Sequence, residues 1–131
     1  MQPVYLPIEI KRREYSARLR TAAHLLKMGV PVVIGQQWGI FDNCKNLSPG
    51  VILFKTANAI QGGLMKAFKK AGHTVVALDE ECLCATNASA FQDGVTPIAA
   101  ENCDLFLAQS AAHKEAVQEK YPLKIEVVGS P

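Results

Sequence analysis

Short, nearly unbroken runs of Val, Ile, Leu and Phe recur along the chain, separated by stretches of helical periodicity. No other feature constrains the fold as strongly. Val30-Pro31-Val32-Val33-Ile34, Val51-Ile52-Leu53-Phe54, Thr74-Val75-Val76-Ala77-Leu78 and Asp104-Leu105-Phe106-Leu107-Ala108 read as the second to fifth strands. Strands apolar on both faces belong in a parallel sheet covered by helices. A first strand at Val4-Tyr5-Leu6 is stopped by Pro7, which has no N–H for a sheet ladder. A sixth covers Ile125-Glu126-Val127-Val128.

The intervening segments carry helix signals. Tyr15, Leu19, Ala22 and Leu26 fall at i, i+4, i+7 and i+11, predicting a helix over 13–28 that buries this face. Gly29 is placed to close it. A short helix is predicted over 38–47, before a turn at Ser48-Pro49-Gly50. Ile60, Leu64, Phe68 and Ala71 mark another helix, closed by Gly72. Residues 85–101 read as loop with one helical turn, and Ser110 caps a last helix running to Lys120. Repeated strand–helix units predict an α/β fold: a doubly wound, mainly parallel Rossmann-like sheet of five to six strands, strand one central, helices on both faces. A chain of 131 residues, 49% of them hydrophobic, suits one such domain over 1–131.

Charge and cysteine usage exclude several classes. The formal charge of +2 is too small to imply nucleic acid. No stretch approaches the roughly 18 apolar residues of a membrane span. Glu9 and the cluster Lys11, Arg12, Arg13 interrupt any signal-peptide core, so a cytoplasmic chain is expected. Cys44, Cys82, Cys84 and Cys103 lack zinc-site spacing, as do His24, His73 and His113, so no metal is expected and the cysteines read as free thiols. There is no GxGxxG after the first strand, no phosphate-loop motif and no GxSxG, and no cofactor is expected.

Ligands of open parallel sheets bind beyond the carboxyl ends of the strands. Glu9, Lys11, Arg12 and Arg13 follow strand one; Gln36, Gln37 and Trp38 follow strand two; Lys55, Thr56 and Asn58 follow strand three; Asp79, Glu80 and Glu81 follow strand four; Gln109 and Ser110 follow strand five. Bases at a helix start oppose its dipole by about 0.3–1 kcal/mol each, so Arg12 and Arg13 point to an anionic partner, an ion pair or a plain solvated run. The acids at 79–81 suit a general base, a metal ligand, an anchor for sugar hydroxyls or partners for the arginines. Trp38 either stacks on a sugar ring or seals the core edge. His113 reads as solvent-facing. Glu9, Arg12, Arg13, Asp79, Glu80 and Glu81 are expected to converge, with strands one and four as neighbours.

Val4-Tyr5-Leu6-Pro7-Ile8-Glu9-Ile10-Lys11-Arg12-Arg13-Glu14, followed by Arg18-Leu19, resembles the start of bacterial surface carbohydrate biosynthesis proteins. Ala77-Leu78-Asp79-Glu80-Glu81 resembles that family's acidic motif, with Cys82 where glycine is expected. Lys124-Ile125-Glu126-Val127-Val128-Gly129-Ser130-Pro131 is similar to the strand and turn closing the N-terminal half of GT-B glycosyltransferase-like proteins. The resemblance implies an acceptor-side domain of polysaccharide or lipopolysaccharide biosynthesis, facing a separate nucleotide-sugar domain across a cleft. It implies a catalytic base among Glu9, Asp79, Glu80 and Glu81. Arg12, Arg13, Arg18, Gln37, Trp38 and Asn58 would bind a sugar or phosphorylated glycan acceptor. The implied place is the cytoplasm, peripheral at the inner membrane. An apolar patch facing the second domain would drive self-association. The alternative reading is a non-catalytic Rossmann-like binding or regulatory module.

Overall fold

A computed structural model describes residues 1–82 and 85–129. Six strands form one parallel sheet: β1 (Val4–Ile8), β2 (Val32–Gln36), β3 (Val51–Phe54), β4 (Thr74–Leu78), β5 (Leu105–Ala108) and β6 (Ile125–Val127). Their order is β2-β1-β3-β4-β5-β6. The helices are α1 (Lys11–Lys27), α2 (Gln37–Asp42), α3 (Ala59–Lys70), α4 (Ala88–Asp93), α5 (Pro97–Asn102) and α6 (Ala111–Lys120). The fold is the doubly wound α/β sandwich that the alternating runs predict.

Strand order departs from expectation in one respect that matters for the site. β1 lies one place from the sheet edge, and its second neighbour is β3 rather than β4. The chain runs outward from β1 to β2, then returns to build β3 to β6 on the other side. The switch point therefore falls between β1 and β3, and the loops after these strands border it.

Pro7 does not end β1. The ladder to β3 covers only Val4 and Tyr5, whereas that to β2 continues through Pro7 and Ile8. Pro7 thus stands where the strand is paired on one side alone, a position that tolerates a missing donor. β2 begins two residues later than predicted and extends through Gly35 to Gln36.

The main core fills one sheet face. Tyr5, Ile52, Phe54, Val75, Ala77, Phe106 and Ala108 from the strands meet Ile40, Phe41, Met65, Phe68, Ala99 and Val117 from the helices. Phe41 stacks on Phe54 at 5.3 Å between centroids, and Phe68 packs edge-on to both, within the range of favourable aromatic pairs. α1 packs instead on β1 and β2 and adds nothing to this cluster. Its buried stripe is Glu14, Arg18 and Ala22; of the predicted apolar face Ala22 is buried, while Tyr15, Leu19 and Leu26 are exposed. Polar partners across the sheet edge account for the shift of the buried stripe: Glu14 and Arg18 both find ion pairs there. Residues 85–101, expected to be mainly loop, form two short helices, α4 and α5.

α1 and α3 end alike. Gly29 and Gly72 have φ of 80° and 91°. In each case the glycine N–H and the next N–H return to the last-turn carbonyls: Gly29 to Leu26 and Val30 to Leu25, Gly72 to Lys69 and His73 to Phe68. This is the double hydrogen-bond pattern that a left-handed residue after a helix makes possible.

Candidate functional site

Carboxyl ends of parallel strands leave helix N-termini and polar loops around a common opening. Here that opening has two lobes sharing Thr56, Asn58 and Glu81. The lobe at the switch point, about 260 Å³, lies between the β1 end, α2 and the start of α3. Glu9, Gln37, Trp38, Lys55, Ile60 and Gln61 contribute to its wall. The other lobe, about 380 Å³, lies between the β3 and β4 ends and α4, with Asp79, Asp93 and Thr96 in its wall.

At the switch point, Lys55 pairs with Glu9 and stands 3.6 Å from Glu14. Glu14 also reaches back to accept the Ile10 N–H at 2.6 Å and the Glu9 N–H at 3.4 Å, so its carboxylate occupies the start of α1. Gln37 and Gln61 are buried amides, and Gln61 Oε1 has no hydrogen-bond partner among the described residues. The same holds for Thr56 Oγ1. Trp38 is 46% exposed and Ile60 72%, forming an apolar rim above these polar groups. Trp38 packs edge-on to Phe41 at 5.8 Å, which anchors one side of the indole and leaves the other open.

The second lobe is built around Asp79. Its Oδ1 accepts the Glu81 N–H at 3.1 Å. Burial pushes its carboxyl up from the ordinary 3.8; the Glu81 N–H opposes the shift and the Glu81 charge adds to it. A Cβ on Gly94 would lie 2.0 Å from Asp79 Oδ2, so glycine is required for α4 to approach the carboxylate. Thr56, Asn58 and Asp93 complete a polar wall able to hold hydroxyl groups.

Behind this lobe, His113 is fully buried rather than solvent-facing, between Phe91 and Phe106. Its Nδ1 accepts the Gln109 N–H and lies 3.5 Å from Cys82 Sγ. Burial lowers the imidazole pKa. Burial, with the charge of Asp79, pushes the Cys82 thiol up to about 11. Both shifts favour the neutral forms of the pair.

The expected site residues separate into three groups. Glu9, Gln37, Trp38, Asn58, Asp79 and Glu81 line the cleft. Arg18 is buried at 2% exposure and donates to Glu80 at 2.5 Å, an ion pair tying α1 to the end of β4. Arg12 and Arg13 lie in the first turn of α1, not in a loop, and are exposed away from both lobes. The acids after β4 are therefore met by an arginine from the second turn of α1. Gln61, within a helix and beyond the strand-end loops, escaped the sequence reading; its place three residues after the capping Asn58 is the signal that could have found it. The Cys82-Leu83-Cys84 pair lies partly outside the described residues. Among the described residues, no group of three or more His, Cys, Asp or Glu is arranged to hold a metal ion. No family model, curated protein or solved structure matches this chain.

Proposed function

We propose that this chain is the acceptor-side domain of a glycosyltransferase-like protein of bacterial surface polysaccharide or lipopolysaccharide biosynthesis, and that it holds a sugar in the two-lobed cleft. A half-exposed indole above buried amides carries the reading. Trp38 offers an apolar face, while Gln37, Asn58, Thr56 and Gln61 offer uncharged hydrogen-bonding groups beneath it. A sugar ring presents that same combination: C–H faces ringed by hydroxyls.

Asp79 and Glu81 are the acids placed to accept a proton from an acceptor hydroxyl. Glu80 and Glu9 are each held by a cation. The raised pKa of Asp79 makes its carboxylate the stronger base. A separate nucleotide-sugar domain facing the cleft belongs to the same reading, as does a cytoplasmic place at the inner membrane. No helix among the described residues is long and apolar enough to cross a membrane.

Trp38 is the only tryptophan, so its emission reports on the cleft alone. Titration with a panel of mono- and oligosaccharides is expected to change that emission saturably, and Gln61→Ala to weaken the response. A panel that moves neither the emission nor the melting temperature overturns the sugar-binding reading.

A further inference from the structure

The outward surface of α1 sets a run of bases beside an exposed apolar stripe. Lys11, Arg12, Arg13, Arg20 and Lys27 are exposed, while the one acid of the helix, Glu14, is buried. Beside these bases lie Tyr15 (39% exposed), Leu19 (43%) and Leu26 (59%). At about 100° per residue, the three apolar side chains fall within an arc of about 40°, and the bases from Arg12 to Arg13 fill the next 100° or so. The ammonium of Lys11 sits 5.3 Å from the Tyr15 ring centroid.

We propose that this face of α1 docks on an anionic lipid bilayer. The proposal deepens the inner-membrane placement in the reading above and rests on α1 rather than on the cleft. It therefore stands or falls separately from sugar binding.

Charge complementarity selects the partner. A second copy pairing through the same stripe across a two-fold axis would set bases against bases. A nucleic acid would satisfy the bases but leave Tyr15, Leu19 and Leu26 in water. An anionic bilayer satisfies both: headgroups meet the bases, and the three apolar side chains enter the acyl boundary. Tyrosine suits that depth, and the long stems of Lys and Arg let their charges reach the headgroups from its margins. Arg12 and Arg13, which oppose the dipole of their own helix, gain a counter-charge there.

The test is co-sedimentation of the chain with phosphatidylcholine vesicles, with and without phosphatidylglycerol. Binding is expected only to the mixed vesicles. Arg20→Gln and Lys27→Gln are each expected to weaken it about fivefold. Leu19→Ser with Leu26→Ser is expected to weaken it tenfold or more at unchanged charge, roughly as leucine transfer to an apolar phase requires. If that double variant unfolds, Leu26→Ser alone, at the most exposed of the three sites, replaces it. Failure to sediment with the mixed vesicles overturns the proposal, as does leucine-independent binding. Duplex DNA binding as tightly as the mixed vesicles, unaffected by the leucine changes, overturns it in favour of a polyanion surface.

Discussion

Asp79 is a buried carboxylate whose folded-state pKa lies above its unfolded one. Above the folded value both states are ionised, and the native state bears the full cost of a buried charge. As pH falls toward 3.8 the native state takes up the proton first, and that cost is relieved. Asp79→Asn keeps an acceptor for the Glu81 N–H and removes the charge. It should raise the melting temperature at pH 7, with the advantage shrinking as pH approaches 4. A melting series showing a pH-independent difference would refute this. Arg18 makes the opposite case. It is fully enclosed, and its carboxylate partner is also mostly shielded, so removing one partner strands the other. Arg18→Met is expected to cost about 3–5 kcal/mol in urea unfolding, and adding Glu80→Gln to recover a large part. A variant that unfolds like the parent but loses ligand would instead mark Arg18 as a binding residue. The two partners lie 62 positions apart, so spacing could not reveal their pairing; the sequence showed only a base within the first helix and an acid after the fourth strand.

Helices were legible where periodicity and a terminating glycine agreed. α3 matches its prediction closely, because Gly72 supplies the left-handed residue its end requires. α1 was found, but its inward face was not. Tyr15, Leu19 and Leu26 point outward while Ala22 is buried, because Glu14 and Arg18 are claimed by partners at the sheet edge. Hydrophobic spacing locates a helix without saying which stripe is buried when polar side chains have partners inside. α4 and α5, six residues each, stand where the sequence predicts loop with one helical turn. Within α3, adjacent glycines make an internal control. A Cβ at Gly62 would lie 2.6 Å from Ile98 Cγ2 and 2.8 Å from the Ala99 nitrogen; at Gly63 it meets nothing within 4 Å. Gly63→Ala should stabilise by about 0.5–1 kcal/mol through helix propensity alone. Gly62→Ala should destabilise by about 1–3 kcal/mol by forcing α3 from α5. Equal effects in chemical denaturation would mean that the α3–α5 contact is looser than this.

For the molecule as a whole, parallel strands and their number followed from the apolar runs, but their order did not. The sequence cannot distinguish a chain that adds β3 beside β1 from one that adds β4 there, since both use the same run–helix units. An opening nevertheless lies at the carboxyl edge that the sequence reading names, because either order puts the strand ends on one side. What that edge lacks is informative about the ligand. Backbone N–H groups at helix starts are the usual cradle for a diphosphate. α2, α3, α4 and α6 have their first turns capped by Gln36, Asn58, Asn87 and Ser110 side chains. α5 begins with a proline, which removes a donor. At α1 the carboxylate of Glu14 already takes the N–H groups of Glu9 and Ile10 and would repel a phosphate. One N–H of each of these capped first turns is thus already taken, so a nucleotide diphosphate would find fewer free donors there than at an uncapped helix start. This chain by itself is expected to bind neither a nucleotide diphosphate nor a nucleotide-sugar, and to transfer no sugar, whether or not saccharides bind beneath Trp38. Calorimetric titration with uridine diphosphate, alongside the saccharide panel, separates the two behaviours. Saturable diphosphate binding, or turnover of any nucleotide-sugar by this chain, would place donor chemistry in this domain and overturn the proposed division of labour between acceptor and donor domains.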